Sequence, residues 1–359
     1  HDGVLIMIRR ILLSVLPMLI LSSALSAREI TDMLGRKVTV PETPKKVYAP
    51  SPYGAYALYA MDPTLLAGWI FEIDPANYPY LHKSMQTLPM IGRVFGAGQS
   101  ANLEVLLAAH PDLILMWSHV NEFSEKEAQK LQILNTPFIY AVDESIEDYT
   151  AIFKFLGKAL NKEARGNQLS AYTEKTFTDV RNTLAKIPAD QRPKVYYAEG
   201  LDGLSTECDD SIHVQLLKLA GDIDVHRCHT SNHKGFEKMS METILGYNPD
   251  VILIQEKMFY DKIYSLPIWA NVNAVKNKRV YLIPKAPFNW FDRPPSFMRI
   301  MGLKWLMSTL YPKQYPIDIR KETRSFYRLF MNIDLSQKQL DEVLRPSGDY
   351  RTKPIGATP

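Results

Sequence analysis

The spacing of apolar residues changes character several times along the chain. Ile30–Val40 alternates apolar and polar positions on either side of Leu34-Gly35, which predicts a β-hairpin. Short apolar runs at Val47–Ala49, Leu113–Met116, Pro137–Ala141, Lys194–Ala198 and Val280–Ile283 read as buried strands, and Ala55–Met61 and Leu103–Ala109 read as helices between them. Strand, loop and helix in that order predict α/β units. From Ser145 to about Ile187 the apolar residues recur at helical spacing without an intervening proline. This predicts a helix to about Leu160, then a long helix over Lys162–Lys186, stopped by Pro188 and Pro193.

The two sides of that long helix echo each other. Asn102–Trp117 (NLEVLLAAHPDLILMW) and Ser240–Gln255 (SMETILGYNPDVILIQ) align without gaps and share Glu104/Glu242, Leu107/Leu245, Pro111/Pro249, Asp112/Asp250, Ile114/Ile252 and Leu115/Leu253. Two similar lobes joined by one helix account for the repeat. The expected division is a signal segment over 1–27, a first lobe over 28–160, a connecting helix over 161–188, a second lobe over 189–345 and a tail over 346–359.

The signal segment rests on the one long apolar run, Ile11–Leu25, which follows Arg9-Arg10 and precedes Ser26-Ala27. It is shorter than the ~20 residues of a spanning helix, and Pro17 interrupts it, so it reads as a cleaved export signal. Met7 is the expected initiator, with cleavage after Ala27 or, alternatively, after Ala24. No cysteine follows that could carry a lipid. Composition narrows the class further. With 46% apolar and 23% charged residues the chain is neither disordered nor a polytopic membrane protein. Its 42 basic and 39 acidic residues are scattered, so no basic block offers a nucleic acid or an anionic membrane a footprint. Two cysteines cannot build a disulfide scaffold.

Taken together, ITDMLGRKVTVPETPKKV, NLEVLLAAHPDLIL, the long central helix, HVQLLKLAGDIDV and SMETILGYNPDVILI resemble the class III periplasmic substrate-binding proteins of ABC importers for ferric siderophores, haem, cobalamin and related metal complexes. The resemblance spans nearly the whole mature chain. It implies two Rossmann-like α/β lobes joined by a rigid helix, a ligand cleft between them, a monomeric protein in the periplasm, and a membrane permease with its ATPase as partner. It also implies that Glu104 and Glu242, one per lobe, dock against the permease. The plain alternative for each glutamate is stabilisation of a helix N-terminus.

Loops at the carboxyl ends of strands nominate the ligand contacts. They are Tyr53 before a helix N-terminus, Trp117-Ser118-His119, Tyr197, and Trp290 and Arg293 of PKAPFNWFDRPPS; Arg93 of GRVFGAG, which precedes the first docking helix, is a further candidate. His119 is the candidate metal ligand, since an imidazole fills an open position on chelated iron, nickel or cobalt. Phe288, Trp290 and Phe291 offer stacking surface and Arg293 a planar cationic fork. The expected cargo is a compact transition-metal complex, with no intrinsic cofactor. Molybdate or tungstate, gripped by Arg293, Tyr197 and backbone amides, is the alternative. In an exported chain Cys208 and Cys228 are expected to pair, the alternative being a metal site of Cys228, His229 and His233. GxSxG, HExxH, P-loop and GxGxxG signatures do not occur in the right context, so the expectation is a binding protein and not an enzyme such as an exported metal-dependent hydrolase.

Overall fold

A computed structural model describes residues 26–93, 101–119, 129, 131–231 and 235–345. The expected signal segment, except Ser26 and Ala27, and the expected tail lie outside the described residues. Strands β1 (Ala27–Thr31) and β2 (Lys37–Pro41) form the hairpin, with Ile30 opposite Val38. Its turn is shaped by Asp32, whose carboxylate accepts from the Leu34 and Arg36 amides, and by Gly35 at φ +81°, a left-handed conformation that glycine adopts freely. The Ser26 carbonyl accepts from the Glu42 amide.

The first lobe is built on a parallel sheet in the order β3-β4-β5, from β3 (Val47–Tyr48), β4 (Leu113–His119) and β5 (Phe138–Asp143). Helix α1 (Pro52–Met61) follows β3 and α2 (Leu103–Ala109) precedes β4. Helix α3 (Tyr149–Ala159) then turns into the connecting helix α4 (Glu163–Leu184), slightly shorter than the sequence implied. These two helices cross almost in backbone contact: a Cβ on Gly166 would lie 2.4 Å from the Phe153 carbonyl oxygen, so only glycine fits there.

The second lobe repeats the plan with β6 (Val195–Ala198), a small antiparallel pair β7 (Ser205–Thr206) and β8 (Glu237–Lys238), α5 (Met241–Tyr247), β9 (Val251–Ile254) and β10 (Val280–Leu282). Its parallel sheet runs β10-β9-β6, and β6 and β9 are buried at every position, as in a sheet covered on both faces. The sequence echo is structural. Helices α2 and α5 both end on a left-handed residue, His110 at φ 48° and Asn248 at φ 44°. The aspartate that follows each then ties down an incoming strand. Asp112 accepts from the amides of Lys45 and Lys46 at 2.7 and 3.0 Å, and Asp250 from that of Lys194 at 2.9 Å.

One apolar core runs through both lobes. It joins Leu113, Leu115 and Ile139 of the first sheet to Tyr197 and Leu253 of the second by way of α3, α4 and α6 (Met298–Leu310). The last helices, α7 (Ile319–Phe326) and α8 (Gln337–Leu344), return toward the first lobe. There the Tyr59 hydroxyl donates to the Met331 carbonyl, and the Tyr80 hydroxyl donates to Glu342 at 2.6 Å. Phe288, carried by the loop between β10 and α6, inserts between Tyr56, Tyr59 and Trp69 of the first lobe, with its ring 4.5 Å from that of Tyr56. Gln215 adds a polar link, accepting from the Ile146 amide and donating to the Glu144 carbonyl.

Candidate functional site

The strands of the second lobe deliver their carboxyl ends to the first lobe, and a cavity of about 380 Å³ opens there. Glu199 and Gly200 line it after β6, Gln255 and Glu256 after β9, and Lys285, Pro287, Asn289 and Arg293 after β10. Tyr56 of α1 closes the opposite side, and Phe236 lies at the edge. The loop from β10 is held open by its own side chains. Asn289 donates to Gln255 at 3.0 Å and accepts from the Phe291 and Asp292 amides, while the Tyr327 hydroxyl donates to the Ala286 carbonyl.

Arg293 is the most heavily committed side chain in the cleft. Its Nε donates to Glu199 at 2.6 Å, its Nη2 donates to Glu207, and Asp292 stands 3.8 Å away. Its cation also sits 3.8 Å from the centre of the Phe236 ring. One guanidinium therefore faces three carboxyl groups. Burial pushes the Glu199 carboxyl up to about 9; Arg293 opposes this, and Glu207 adds to the rise. Burial thus favours the protonated form of Glu199 beside Arg293. Below Arg293, the Tyr197 hydroxyl and Asp292 Oδ1 are buried with no hydrogen-bond partner among the described residues. The other oxygen of Asp292 meets His213 Nδ1 at 2.5 Å.

The first lobe supplies a second group of residues. Tyr53 stacks on Trp117 with centroids 5.8 Å apart, and Trp117 Nε1 donates to Asp143 at 3.0 Å. Ser118 is buried behind them. His119 is the last residue of β4, in register with Asp143, and its side chain lies outside the described residues. Arg93 places its guanidinium 5.0 Å from the Phe71 ring and near enough to Tyr56 to oppose the upward push of burial on that hydroxyl. Arg299 comes from α6 and is buried; it donates to Gln215 at 3.2 Å, with its cation 5.8 Å from the Tyr149 ring.

Several expectations change in the light of this geometry. Trp290 is not a cleft residue: its ring is fully buried and its Nε1 donates to the Tyr327 hydroxyl, which makes it an anchor of the loop. Phe288 lines the cavity while stacking on Trp69 of the first lobe, and Phe291 packs 4.7 Å from Tyr197 inside the core. Tyr197 is likewise buried under Arg293. Cys208 and Cys228 are joined by a disulfide, which occupies the sulfur that the alternative metal site needed. His229 is fully exposed beside Asp210, and His233 lies outside the described residues. Tyr56, Phe236, Gln255 and Arg299 were not singled out from sequence. Tyr56 sits inside the apolar stretch Ala55–Met61 and reads as an ordinary helix position, and Arg299 follows PKAPFNWFDRPPS where no motif sets it apart.

Glu104 and Glu242 both occupy the first turn of their helices, α2 and α5, and both are exposed.

Comparison with known proteins agrees with this architecture. Residues 75–287 match the family model described as periplasmic binding protein. An ABC transporter solute binding protein from Sulfurospirillum deleyianum is 36% identical and superposes with a TM-score of 0.79, over 89% of this chain and 99% of that one. The molybdate-binding protein MolA of Haemophilus influenzae is 26% identical over 335 residues, 86% of this chain and 92% of the relative. The Fe(3+)-citrate-binding protein YfmC of Bacillus subtilis is 28% identical over 194 residues, 52% of this chain and 58% of the relative.

Proposed function

Because the chain belongs to the periplasmic binding protein family, whose members serve ABC transporters, we propose that it captures a compact complex of iron, nickel or cobalt between its lobes and delivers it to the permease and ATPase of an importer. The protein acts in the periplasm, as a carrier and without chemistry of its own. The observation behind the ligand class is the commitment of Arg293 to Glu199 and Glu207, with Asp292 beside it. A bare oxyanion needs donors that are not already engaged. A neutral or cationic centre with carboxylate or imidazole arms instead meets the carboxyl groups, Lys285 and the rings of Tyr56 and Phe236. His119, at the end of β4, is the residue proposed to complete the coordination of the metal.

A second reading, molybdate or tungstate, is favoured by the likeness to the molybdate-binding relative across most of this chain. Calorimetric titration of the purified protein with ferric citrate, nickel–histidine, cobalamin and molybdate separates the two. The expected result is saturable binding of a metal chelate, weakened by His119→Ala. Binding of molybdate alone, abolished by Arg293→Ala and untouched by His119→Ala, overturns the chelate reading. Delivery is assigned to Glu104 and Glu242, which meet basic partners on the permease and set orientation more than raw affinity.

A further inference from the structure

Among the described residues two cationic side chains are buried, Lys304 and Arg299. A buried charge is costly unless an opposite charge or a full set of hydrogen bonds meets it. Lys304 has its partner, Glu322 at 2.8 Å. Arg299, only 3% exposed, has no carboxylate within 4 Å among the described residues. Its Nε donates to the Ser296 carbonyl and its Nη1 to Gln215, each at 3.2 Å, while Nη2 bonds nothing among the described residues. The two acids that act on Arg299 from farther away are engaged elsewhere. Asp292 meets His213 at 2.5 Å, and Asp143 accepts from Trp117 at 3.0 Å. Gln215 is shared too, since its Oε1 also accepts from the Ile146 amide.

A second unmatched group stands beside this cation. Tyr149 of α3 is fully buried, its ring centre lies 5.8 Å from the Arg299 cation, and its hydroxyl has no hydrogen-bond partner among the described residues. Burial pushes that hydroxyl up to about 12, and Arg299 opposes the push. Arg299 opposes burial in the same way at Tyr53 of α1. Trp117 lies beside both rings, 5.8 Å from Tyr53 and 5.9 Å from Tyr149. Tyr149 belongs to the first lobe, and Gln215, which holds Arg299, to the second. The amino group at Nη2 and the Tyr149 hydroxyl are both donors, and they are not bonded to each other. Unmatched donors around a buried cation are complemented by an anion.

We infer that Arg299 and Tyr149 together hold one compact, singly charged anionic group at the seam between the lobes. Its source is either a free ion such as chloride or a carboxylate arm of the cargo. The second source rests on the chelate reading, and the first is independent of it. The donor count sets the charge class. An amino group and a hydroxyl serve a halide or a single carboxylate, whereas they leave most oxygens of a tetrahedral dianion such as molybdate unmet. Because the group binds the folded chain alone, it stabilises that state by mass action.

The test follows thermal melting of the full-length mature protein as chloride replaces isethionate at fixed ionic strength, which holds general screening constant. With a free ion as the source, the unaltered protein is expected to melt about 2–4 °C higher in saturating chloride. Tyr149→Phe keeps the ring and removes a hydroxyl that bonds nothing in the protein, so the chain folds as before. It is expected to raise the chloride midpoint about tenfold, and Arg299→Met to abolish the response. With the cargo as the source, chloride has no effect. Calorimetry then shows both variants binding ferric citrate about tenfold more weakly, with ferric acetohydroxamate, a chelate without carboxylates, unaffected. The inference is overturned if Tyr149→Phe changes neither the chloride midpoint nor the ferric citrate affinity by more than about twofold. It is equally overturned if the unaltered protein responds to neither chloride nor ferric citrate. Failure of every chelate to bind overturns the chelate reading instead, and the chloride melts then decide the inference alone.

Discussion

Glu199 couples the cleft to pH. Its carboxyl is raised by burial to about 9, against the pull of Arg293 and with the help of Glu207. The native chain therefore holds a proton that the unfolded chain gives up above the ordinary carboxylate range. This contribution to stability is complete below about pH 4.5 and is lost as pH rises toward about 9. Asp224, raised by burial to about 7, adds a decline of the same sign at the lower end of that window. The melting temperature is expected to fall between about pH 5 and pH 9, and Glu199→Gln to flatten the upper part of the curve. A curve that keeps its slope in the variant would assign the effect elsewhere. Arg293 was legible in sequence as a cation on a rigid cleft loop. Its acid partners were less so, because Glu207 lies beyond β7 and only the folded lobe brings it alongside. Phe288, Trp290 and Phe291 were legible as a set of rings, but the path of the loop decides which way each one points. Spacing could not show that Trp290 would face Tyr327.

Among the elements, the hairpin, both repeat units and the connecting helix follow from period and punctuation, since each is bounded by a turn residue or a proline that local chemistry dictates. The helices that read least clearly are the last ones. Helix α7 has a polar face, and its fixed place depends on a distant contact. There Lys304 of α6 donates to Glu322 at 2.8 Å and to the hydroxyl of Tyr172 on α4. The disulfide loop is an element of a different kind, closed by a bond between residues 20 apart in sequence. Closing a loop of that size restricts the unfolded chain by about 3 kcal/mol. Reduction, or Cys208→Ser paired with Cys228→Ser, is expected to lower stability by about that amount in denaturant titration. Ligand affinity is expected to fall as well, because the closed loop carries Ser211 and His213, which bond Glu207 and Asp292 beside Arg293, while its ends are anchored by Asp209, accepting from the Cys228 amide at 3.0 Å, and Asp210, accepting from that of Thr230 at 2.9 Å. A metal-dependent rise in stability of the reduced protein would instead revive the Cys228, His229 and His233 reading.

At the scale of the whole molecule, the two lobes cannot be treated as separate bodies on a flexible joint. Their cores are continuous, α4 spans them, and Phe288 of one lobe is enclosed by three rings of the other. Ligand binding is therefore expected to change the radius of gyration in solution scattering by less than about 1 Å. A larger contraction would show that the shared core opens. Removing the inserted ring, Phe288→Ala, is expected to cost about 3–5 kcal/mol and to leave a void between the lobes, measurable by chemical denaturation. A cost below about 1 kcal/mol would show that the ring is not part of the joint.

The position of Phe288 has a further consequence, for how such a protein diversifies. The segment that shapes the cavity through Lys285, Asn289 and Arg293 is the same segment whose ring fastens the lobes together. A mutation that re-aims this segment toward a new cargo also disturbs the fastening. Changes of specificity are thus steered toward lining residues outside it and away from the rings that enclose Phe288, such as Glu256 and Phe236, where a lineage can explore new ligands without loosening the scaffold that carries them.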